Sequence, residues 1–545
     1  MKNLKTLMFV LLALMLMFTM VLGACSKPTT EPPPPTTSPT TTPATVAKTT
    51  TAPAGPSGTL TVALSTFFND TFLPWRGGGI CETYQSLINE GLVYYDPESG
   101  DYVPGLATKW EMSPDAKTFT FWLREGIQFQ KGWGELTAED VVYTVQRIIA
   151  PDSKHGGGGN LRNILVDITA PETYKVVITL NTPYPDFPQA YFVNEELGIV
   201  SKKYVEDVGD DAAEADPIGT GAYTLIDRKI GVSMKFEAAE GKHWRVSPSY
   251  KYIDILVVPE EATRVAKLRT GEVDLAPISY DSVDSVKSAG LNIISRDASW
   301  VPAIKFSSLV MSNPERYNLD NPWTDVKVRQ ALNYAVNKDE IIESLFKGAA
   351  KSVGASLPLA EWADIPPYPY DPDEAVRLLR DAGYDDGELK ITMKTCTTSS
   401  GAELPLIGQT VAMYWEAVGV KVTIVPTDWS TVNSELTSNM LLNYTYTHRA
   451  MPMSSAYNNL SINYGSNSFY CCMGSEEIDS KLAGIAAELD LSKRGALIKE
   501  LGQYIRDQAP LVYIAWAGEA YGASDRVGYW PIGRQYPVNL DCITP

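Results

Sequence analysis

The sequence predicts an α/β fold, because strand-like and helix-like segments alternate along most of its length. Residues 58–64, 119–123 and 175–180 alternate apolar and polar side chains with the two-residue period of a half-buried strand. Helix-start and helix-end signals lie between such segments, and no internal repeat is visible. This interleaving is typical of layered helices and sheets rather than of a helical bundle or an all-β sandwich.

Two helices carry the clearest start signals. Glu139 and Asp140 stand in what would be the first turn of one helix, where carboxylates complement the positive end of the helix dipole. A second helix is predicted to be capped by Asp371, to begin at Pro372 and to end at Gly383. These signals locate helix ends and do not say what the helices pack against.

The N-terminus has the pattern of an export signal. Two lysines precede an almost unbroken apolar run over residues 7–22. Residues 22–25, Leu-Gly-Ala-Cys, resemble the lipobox of bacterial lipoproteins, in which the cysteine thiol takes the lipid. A plain transmembrane anchor is the alternative, but roughly 16 apolar residues is short for a span that needs about 20. We therefore expect residues 1–24 to be a lipoprotein signal peptide and Cys25 to be the lipidated residue.

Residues 25–57 continue as a tether made almost entirely of Pro, Thr, Ala and Ser. They hold too few large apolar side chains to form a core, so this segment is expected to be unfolded and extended. At about 3.1 Å per residue for polyproline-like chain, it would reach on the order of 100 Å. That reach suits a tether across a cell-wall layer, and a spacer with no particular length requirement is equally compatible.

Composition and motifs argue against several classes of protein. The formal net charge of −19 over 545 residues argues against a nucleic-acid partner. The Gly-x-Ser-x-Gly, His-Glu-x-x-His and Walker A motifs are absent, and the three histidines occur in unrelated contexts. The sequence therefore indicates no enzyme, no cofactor and no metal site.

The cysteines after the lipobox do not form a recognisable pattern. Five such residues are present, and they are Cys81, Cys396, Cys471, Cys472 and Cys542. An odd number at irregular spacing fits neither a disulfide framework nor a zinc site, and at least one thiol should be free. Adjacent Cys471 and Cys472 could join only in a strained ring, so each is expected to be free or to pair elsewhere. Cys81 with Cys542 is the preferred long-range pair.

Five segments, in the same order along the chain, resemble motifs of one known family. They are residues 104–127, 217–223 (Pro-Ile-Gly-Thr-Gly-Ala-Tyr), 271–274 (Gly-Glu-Val-Asp), 325–332 (Asp-Val-Lys-Val-Arg-Gln-Ala-Leu) and 375–384 (Ala-Val-Arg-Leu-Leu-Arg-Asp-Ala-Gly-Tyr). Together they resemble the solute-binding proteins of the dipeptide, oligopeptide and nickel importers, which form family 5. Each motif alone is weak, but five in order cover nearly the whole body of the chain.

The residues of these motifs are expected to have structural roles. Gly219 and Gly221 permit either a turn with positive φ or the close approach of another backbone. Val328, Ala331 and Leu332 follow helical spacing and should face a core. The motifs therefore identify a fold and say little about a ligand.

The resemblance implies a large periplasmic-binding-protein fold (class II or cluster C), with two α/β lobes, two hinge crossovers and a ligand enclosed between the lobes. Lobe I would comprise residues 58–303 and 514–545, and lobe II residues 304–513. The implied protein is a monomer, lipid-anchored at the outer face of the bacterial cytoplasmic membrane, on the cell surface or in the periplasm. It would deliver a small solute to the permease and ATPase subunits of an ABC importer.

The resemblance also places ligand contacts at strand ends and loops of both lobes. In lobe I these are Ser65, Thr66, Phe67, Ser279 and Tyr280. In lobe II these are Thr397, Thr398, Trp429, Tyr446 and Arg449. Trp429 matches a tryptophan that packs on ligands in the dipeptide binders.

Two anchors of the dipeptide binders are missing from this sequence. The loop at Thr397 and Thr398 lacks their arginine for the peptide carboxylate, and Arg449 stands where the family often has an aspartate for the α-ammonium. An arginine would repel an ammonium group but would hold a carboxylate or another anion with its guanidinium fork. We therefore expect an anionic or polar organic solute rather than a free dipeptide. The alternative left open is that Arg449 pairs with a neighbouring acid and contacts no ligand.

Other functions remain as alternatives. One is an oligopeptide-binding protein of the same family, and another is a ligand sensor or surface adhesin that uses this fold without transport. A third is an extracellular enzyme with an unrecognised pair of carboxylates, for which no motif in the sequence argues.

Overall fold

A computed structural model describes residues 55–545 except 68–69, 78–83, 97–98, 100, 156, 194–196, 355–359, 398–400, 402, 439, 451–454, 469 and 533–538. Cys25, the predicted signal peptide and nearly all of the predicted tether lie outside the described residues, as do Cys81 and Thr398. No helix in the part of the chain that the structure describes is long and apolar enough to cross a membrane.

The strands of the described residues lie throughout the body of the chain. They are β1 (Thr59–Leu64), β2 (Val93–Tyr95), β3 (Tyr102–Pro104), β4 (Ala107–Met112), β5 (Thr118–Leu123), β6 (Leu165–Glu172), β7 (Lys175–Leu180), β8 (Tyr223–Lys229), β9 (Ser233–Ala238), β10 (Tyr252–Val257), β11 (Leu275–Ile278), β12 (Asn292–Phe306), β13 (Ala350–Lys351), β14 (Lys390–Thr397), β15 (Lys421–Asp428), β16 (Thr445–Ala450), β17 (Leu511–Tyr513) and β18 (Trp516–Ala523).

Helices alternate with these strands, as the sequence predicts. They are α1 (Ala138–Ile148), α2 (Gly158–Ile164), α3 (Phe187–Tyr191), α4 (Lys202–Val208), α5 (Asp210–Ala215), α6 (Glu261–Thr270), α7 (Val283–Ser288), α8 (Val326–Tyr334), α9 (Lys338–Phe346), α10 (Pro372–Asp381), α11 (Leu404–Ala417), α12 (Trp429–Thr437), α13 (Ala456–Tyr464), α14 (Glu476–Ala487) and α15 (Leu491–Gln508). The α/β class is therefore confirmed.

A mixed sheet of twelve strands runs through the protein. Its order is β15-β14-β16-β12-β18-β11-β1-β10-β9-β8, with β13 paired to β18 and β17 paired to β12. Strand β1 is parallel to β10 and β11, and β14 is parallel to β15 and β16. We call the strands around β1 the β1 group, which belongs to the first lobe, and the strands around β14 the β14 group, which belongs to the second lobe.

Strand β12 joins the two groups. Its first part pairs with β18, and its second part pairs with β16, starting at Val301 opposite Ala450. The carboxyl end of β11 lies level with Ser295 of β12, because Ile278 and Ser295 both pair with Ala520 of β18. The carboxyl ends of both parallel groups therefore face the same stretch of β12, residues 295–301.

Several hydrophobic cores lie in the described part of the chain. One core collects buried residues between Trp300 and Ala517 and packs around the β14 group. Another lies between Leu73 and Ile218, around a four-stranded antiparallel sheet of order β4-β5-β7-β6. Tyr457 packs against both of these cores. The side chain of Tyr457 therefore bridges the region of the small sheet and the second lobe.

The local predictions from sequence agree closely with these elements. Strands β5 and β7 alternate half-buried and buried residues along their whole length. Helix α10 is capped by the Asp371 carboxylate, which accepts a hydrogen bond from the N–H of Glu374 at 2.9 Å. The prediction that Asp371 caps a helix beginning at Pro372 is therefore confirmed.

The glycines of the 217–223 motif allow two segments of backbone to touch. A Cβ on Gly219 would lie 1.9 Å from the carbonyl oxygen of Ile88, and one on Gly221 would lie 2.4 Å from that of Leu87. Any side chain at either position would displace this backbone. Of the two roles expected for these glycines, close approach is the one that the structure shows.

The predicted disulfide between Cys81 and Cys542 is wrong. Cys542 is a free thiol whose sulfur lies 3.4 Å from a carboxylate oxygen of Asp541. Cys471 and Cys472 are also free and buried, which agrees with the expectation that they do not join each other. This pairing was preferred only because both cysteines fall in the predicted first lobe, and no sequence pattern indicated that their side chains lie close together.

Candidate functional site

The carboxyl ends of the two parallel groups bring together most of the predicted ligand residues. Ser65 to Phe67 follow β1, and Ser279 and Tyr280 follow β11. On the facing side, Thr397 ends β14 and Trp429 follows β15. Ligand sites in open α/β sheets lie at the carboxyl ends of strands, so this meeting of strand ends is the candidate site.

Phe67 differs from the other predicted ligand residues in the position of its side chain. Its side chain is only 2% exposed, and its ring packs edge-on against Tyr84 with 5.5 Å between centroids. The ring belongs to the hydrophobic core beneath the β1 group. Phe67 therefore supports the loop after β1 from within, and its side chain is not presented at the surface.

Ser279 and Tyr280 form part of the contact between the lobes. The N–H and hydroxyl of Ser279 donate to the carboxylate of Glu261, at 2.8 and 2.7 Å. Glu403, just before α11 of the second lobe, lies near the backbone of Tyr280. The Tyr280 ring packs against Phe346 of α9 with 5.7 Å between centroids. These two predicted residues therefore lie where the first lobe contacts the second.

Arg449 lies in a buried cluster of charges at the same place. Glu519 of β18 accepts from Arg296 of β12 at 2.8 Å and forms an ion pair with Arg449 of β16. The Arg449 guanidinium also lies 5.5 Å from the ring centre of Trp300. We call Arg296, Glu519 and Arg449 the Arg–Glu–Arg cluster. The pairing with a neighbouring acid, which the sequence left open for Arg449, is the arrangement in this structure.

The cluster keeps its central carboxylate ionised. Burial alone would raise the pKa of Glu519, but the charges of Arg296 and Arg449 outweigh it and hold that pKa below its usual value. Nearby Glu403 behaves differently, because burial and then the charge of Glu261 raise its pKa. Two guanidinium groups therefore share one ionised carboxylate here, beside a second carboxyl group that is easier to protonate.

Tyr446 lies on the opposite face of β16 from Arg449, since side chains alternate along a strand. It is fully buried among Cys396, Val432 and other apolar residues of the second lobe. Among the described residues, its hydroxyl has no hydrogen-bond partner, and neither has Nδ1 of His448. Tyr446 and Arg449, predicted together as ligand contacts, therefore point to different sides of the sheet.

Trp429 and His448 extend this second face of β16. The ring of Trp429 lies 6.0 Å from that of His448 and 6.5 Å from that of Tyr446, centre to centre. Burial, followed by the charge of Lys305, lowers the pKa of His448 well below its usual value, so its imidazole is neutral at pH 7. The group is therefore a largely buried aromatic cluster without charge, in contrast to the Arg–Glu–Arg cluster.

Sequence reasoning missed three residues that the structure places at the site. Arg296, Glu403 and Glu519 come from β12, the start of α11 and β18, and none belongs to a motif. Glu519 is 70 residues from Arg449 in the sequence. No spacing rule links such residues, because only the pairing order of the sheet brings them together. Among the described residues, no group of three or more His, Cys, Asp or Glu side chains is arranged to hold a metal ion.

Comparisons with known proteins agree with this architecture. Residues 101–469 match the model of the bacterial extracellular solute-binding proteins, family 5. The chain is 30% identical over 379 residues to heme-binding protein A of Haemophilus influenzae, a match that spans 64% of this chain and 65% of that protein, just under two thirds of its length. It is 26% identical over 461 residues to the dipeptide-binding protein of Escherichia coli K12, covering 78% of this chain and 82% of that protein.

The fold of this chain also matches the folds of proteins with solved structures. The ABC transporter-associated periplasmic binding protein DppA of Helicobacter pylori, in complex with the peptide STSA, superposes with a TM-score of 0.74 at 22% identity, over 90% of this chain and 98% of that one. The family model covers more than half of the chain, and the two-lobed fold agrees with it. This chain therefore belongs to the bacterial extracellular solute-binding proteins of family 5, the solute-binding components of ABC importers, and it is a binding protein rather than an enzyme.

Proposed function

We propose that this chain captures a small organic solute with an anionic or strongly polar group between its lobes and delivers it to the permease and ATPase subunits of an ABC importer. The observation that carries the ligand class is the position of Arg296 and Arg449, where the strand ends of both lobes meet. A guanidinium group binds carboxylates and similar anions with two parallel hydrogen bonds. The α-ammonium of a free peptide would instead be repelled there.

The pairing of Arg449 with Glu519 refines this proposal. The carboxylate holds the guanidinium in one orientation, so little side-chain entropy is lost when a ligand arrives. It also reduces the charge that the arginines present, which favours a ligand with one acidic group and polar neighbours over a multiply charged anion. Peptides are the competing class, because one relative of this chain is named for dipeptides.

The lobe boundaries follow from the same arrangement. We place the first lobe at residues 58–303 and 514–545 and the second at residues 304–513. Support comes from β12, whose pairing changes from β18 to β16 between Trp300 and Val301. The chain returns between β17 and β18, so two neighbouring crossovers would form the hinge. We propose that the protein acts as a monomer.

A lipid anchor at the outer face of the cytoplasmic membrane completes the proposal. Residues 1–24 would be removed on export, Cys25 would carry the lipid, and residues 25–57 would tether the lobes. We expect Cys25→Ala to release the protein from membranes or to leave it as unprocessed precursor, whereas Cys542→Ala should change neither. A Cys25→Ala protein of mature size in the membrane fraction would show that the lipobox assignment is wrong.

A thermal-shift screen of the full chain tests the ligand class. Dipeptides, organic acids, glycosides and heme would each be added to the wild type and to Arg449→Met. A ligand at 100 times its Kd adds about 2.7 kcal/mol of stability, so even a modest binder should raise the unfolding temperature. The proposal predicts the largest rise with an organic acid and a smaller rise in Arg449→Met. A rise with dipeptides alone, equal in both proteins, would replace the proposal with peptide binding.

A further inference from the structure

Asp186 connects the first lobe to two helices of the second. It lies just before α3, beside the four-stranded sheet, and its carboxylate forms an ion pair with Arg494 of α15. The same carboxylate accepts a hydrogen bond from the Ser455 hydroxyl at 2.8 Å, directly before α13. These contacts lie outside the twelve-stranded sheet, which also connects the lobes.

The Arg494 side chain of this contact is buried, and the Asp186 side chain is largely covered. The Arg494 side chain is 6% exposed and the Asp186 side chain 14%. Within the part of the chain that the structure describes, the Nε and Nη2 atoms of Arg494 have no hydrogen-bond partner. Since the cost of a buried, unpaired charge is high, the position of Arg494 in this structure depends on Asp186.

Aromatic packing reinforces the contact. Tyr184, two residues before Asp186, packs edge-on against Tyr457 of α13 with 5.0 Å between ring centres. Tyr184 is 4% exposed, so its ring is covered where the two lobes meet. Lobes that rotate apart about the β12 and β18 crossovers would separate this pair and expose both charges to water.

We infer that Asp186, Arg494 and Ser455 form a latch that holds the two lobes together and sets how often they open. The latch goes beyond the proposed function, because it requires only the two-lobed fold and does not depend on the class of ligand. In a binding protein that closes around its ligand, the apparent affinity depends on the stability of the closed state. The latch would therefore help to set affinity from outside the ligand site.

Removing the Asp186 charge should favour the open arrangement. In Asp186→Asn, the closed state would keep Arg494 buried without a counter-charge, whereas the open state would hydrate it. The double variant Asp186→Asn/Arg494→Gln has no charge left to bury, so it should open less than the single variant. Asp210→Asn is the matched control, because Asp210 pairs with Arg147 at 2.6 Å within the first lobe.

Hydrogen–deuterium exchange of the full chain without added ligand gives the readout. Tyr280 packs across the lobes against Phe346, with 5.7 Å between ring centres, so its amide lies in an inter-lobe contact separate from the latch. If the latch holds the lobes together, Asp186→Asn should speed exchange at Tyr280 by about tenfold or more. The amides that pair Phe121 of β5 with Val176 of β7 should exchange as in the wild type, since they lie within one lobe.

Each other outcome would overturn the latch. Unchanged exchange at Tyr280 in Asp186→Asn would mean that the contact is local and does not control opening. Faster exchange in β5 and β7 as well would mean that the variant destabilises the first lobe as a whole. If Asp210→Asn speeds exchange at Tyr280 as much as Asp186→Asn does, the faster exchange follows from the loss of any ion pair and not from the latch. If the double variant exchanges at Tyr280 as fast as Asp186→Asn does, the buried charge of Arg494 does not drive the opening.

Discussion

Two buried charge clusters of this protein differ in their ratio of arginines to carboxylates, because one has a single arginine between two carboxylates and the other has two arginines around one carboxylate. In the first lobe, the fully buried Glu90 pairs with Arg245 at 3.2 Å, and Arg245 also pairs with Asp541 at 2.6 Å. The Glu90 carboxylate also accepts hydrogen bonds from three neutral side chains, those of Tyr94, Thr220 and Trp244, at 2.9, 2.8 and 2.8 Å. At the meeting of the lobes, Arg296 and Arg449 share the single carboxylate of Glu519.

The location of each cluster relative to the lobes indicates whether it can take part in ligand binding. Every member of the Glu90 cluster belongs to the first lobe, so movement of the lobes leaves it intact. The Arg–Glu–Arg cluster is built from β12, β16 and β18, and therefore from strands that connect or belong to different lobes. A network of the first kind stabilises the fold, whereas one of the second kind can respond to lobe movement and to a ligand.

The largest effect on stability is expected from Glu90→Gln. The amide would remove one of the two carboxylates that face Arg245, and its NH2 group could not accept the hydrogen bonds that the Glu90 carboxylate accepts from Tyr94, Thr220 and Trp244. We expect a loss of about 3 kcal/mol in the free energy of unfolding, measured by urea denaturation. The control is Glu111→Gln, whose partner Lys109 lies at 3.0 Å on the surface and whose loss should cost under about 1 kcal/mol. Equal costs for the two variants would end the distinction between a buried network and a surface pair.

A smaller loss is expected from Glu519→Gln. The variant would leave Arg296 and Arg449 without their shared carboxylate, at a cost of about 2 kcal/mol, which lobe opening limits by hydrating Arg449. An added organic acid should restore part of this loss, because the proposed function places the acidic group of the ligand at this cluster. The same acid should not restore Glu90→Gln. Failure of the acid to stabilise Glu519→Gln would argue that the cluster is closed to solutes.

The smallest effect should appear only in acid, through His448. Its pKa is lowered in the folded protein, so below about pH 6.5 the unfolded chain takes up a proton that the folded chain does not. Stability is therefore lost as pH falls below that point, at about 1.4 kcal/mol per pH unit. Urea denaturation of wild type and His448→Gln at pH 7.5 and 5.5 isolates this contribution, since other groups titrate alike in both. A difference between the two proteins that does not grow in acid would contradict the burial of a neutral imidazole.

The sequence was most informative where local rules decide the structure. The alternation in β5 and β7, the Asp371 cap and the contact glycines Gly219 and Gly221 were all predicted, because each depends on a few neighbouring residues. The family motifs then supplied the two-lobed fold. Together these gave the architecture and the strand ends at which a site should lie.

The partners of individual side chains were beyond such rules. Glu519 meets Arg449, and Asp186 meets Arg494, only because distant strands and helices are brought together. Tyr446 was assigned to the ligand site by position in a motif, but strand alternation turns it to the other face of β16 from Arg449. Contacts of this kind follow from sheet order and lobe packing, which a single sequence does not encode locally.

The account depends most on the claim that the site selects an anionic group through Arg449. The direct measurement is calorimetry with a carboxylate ligand found in the screen and with its neutral carboxamide analogue. Wild type should bind the carboxylate about 30-fold more tightly or better, and Arg449→Met should lose most of that preference while binding the carboxamide nearly as well as wild type does. Trp429→Ala should leave the preference for the carboxylate unchanged, because the Trp429 ring lies with those of Tyr446 and His448 on the other side of β16 from Arg449. Equal losses for both ligands in Arg449→Met would contradict the claim and make Arg449 a structural partner of Glu519.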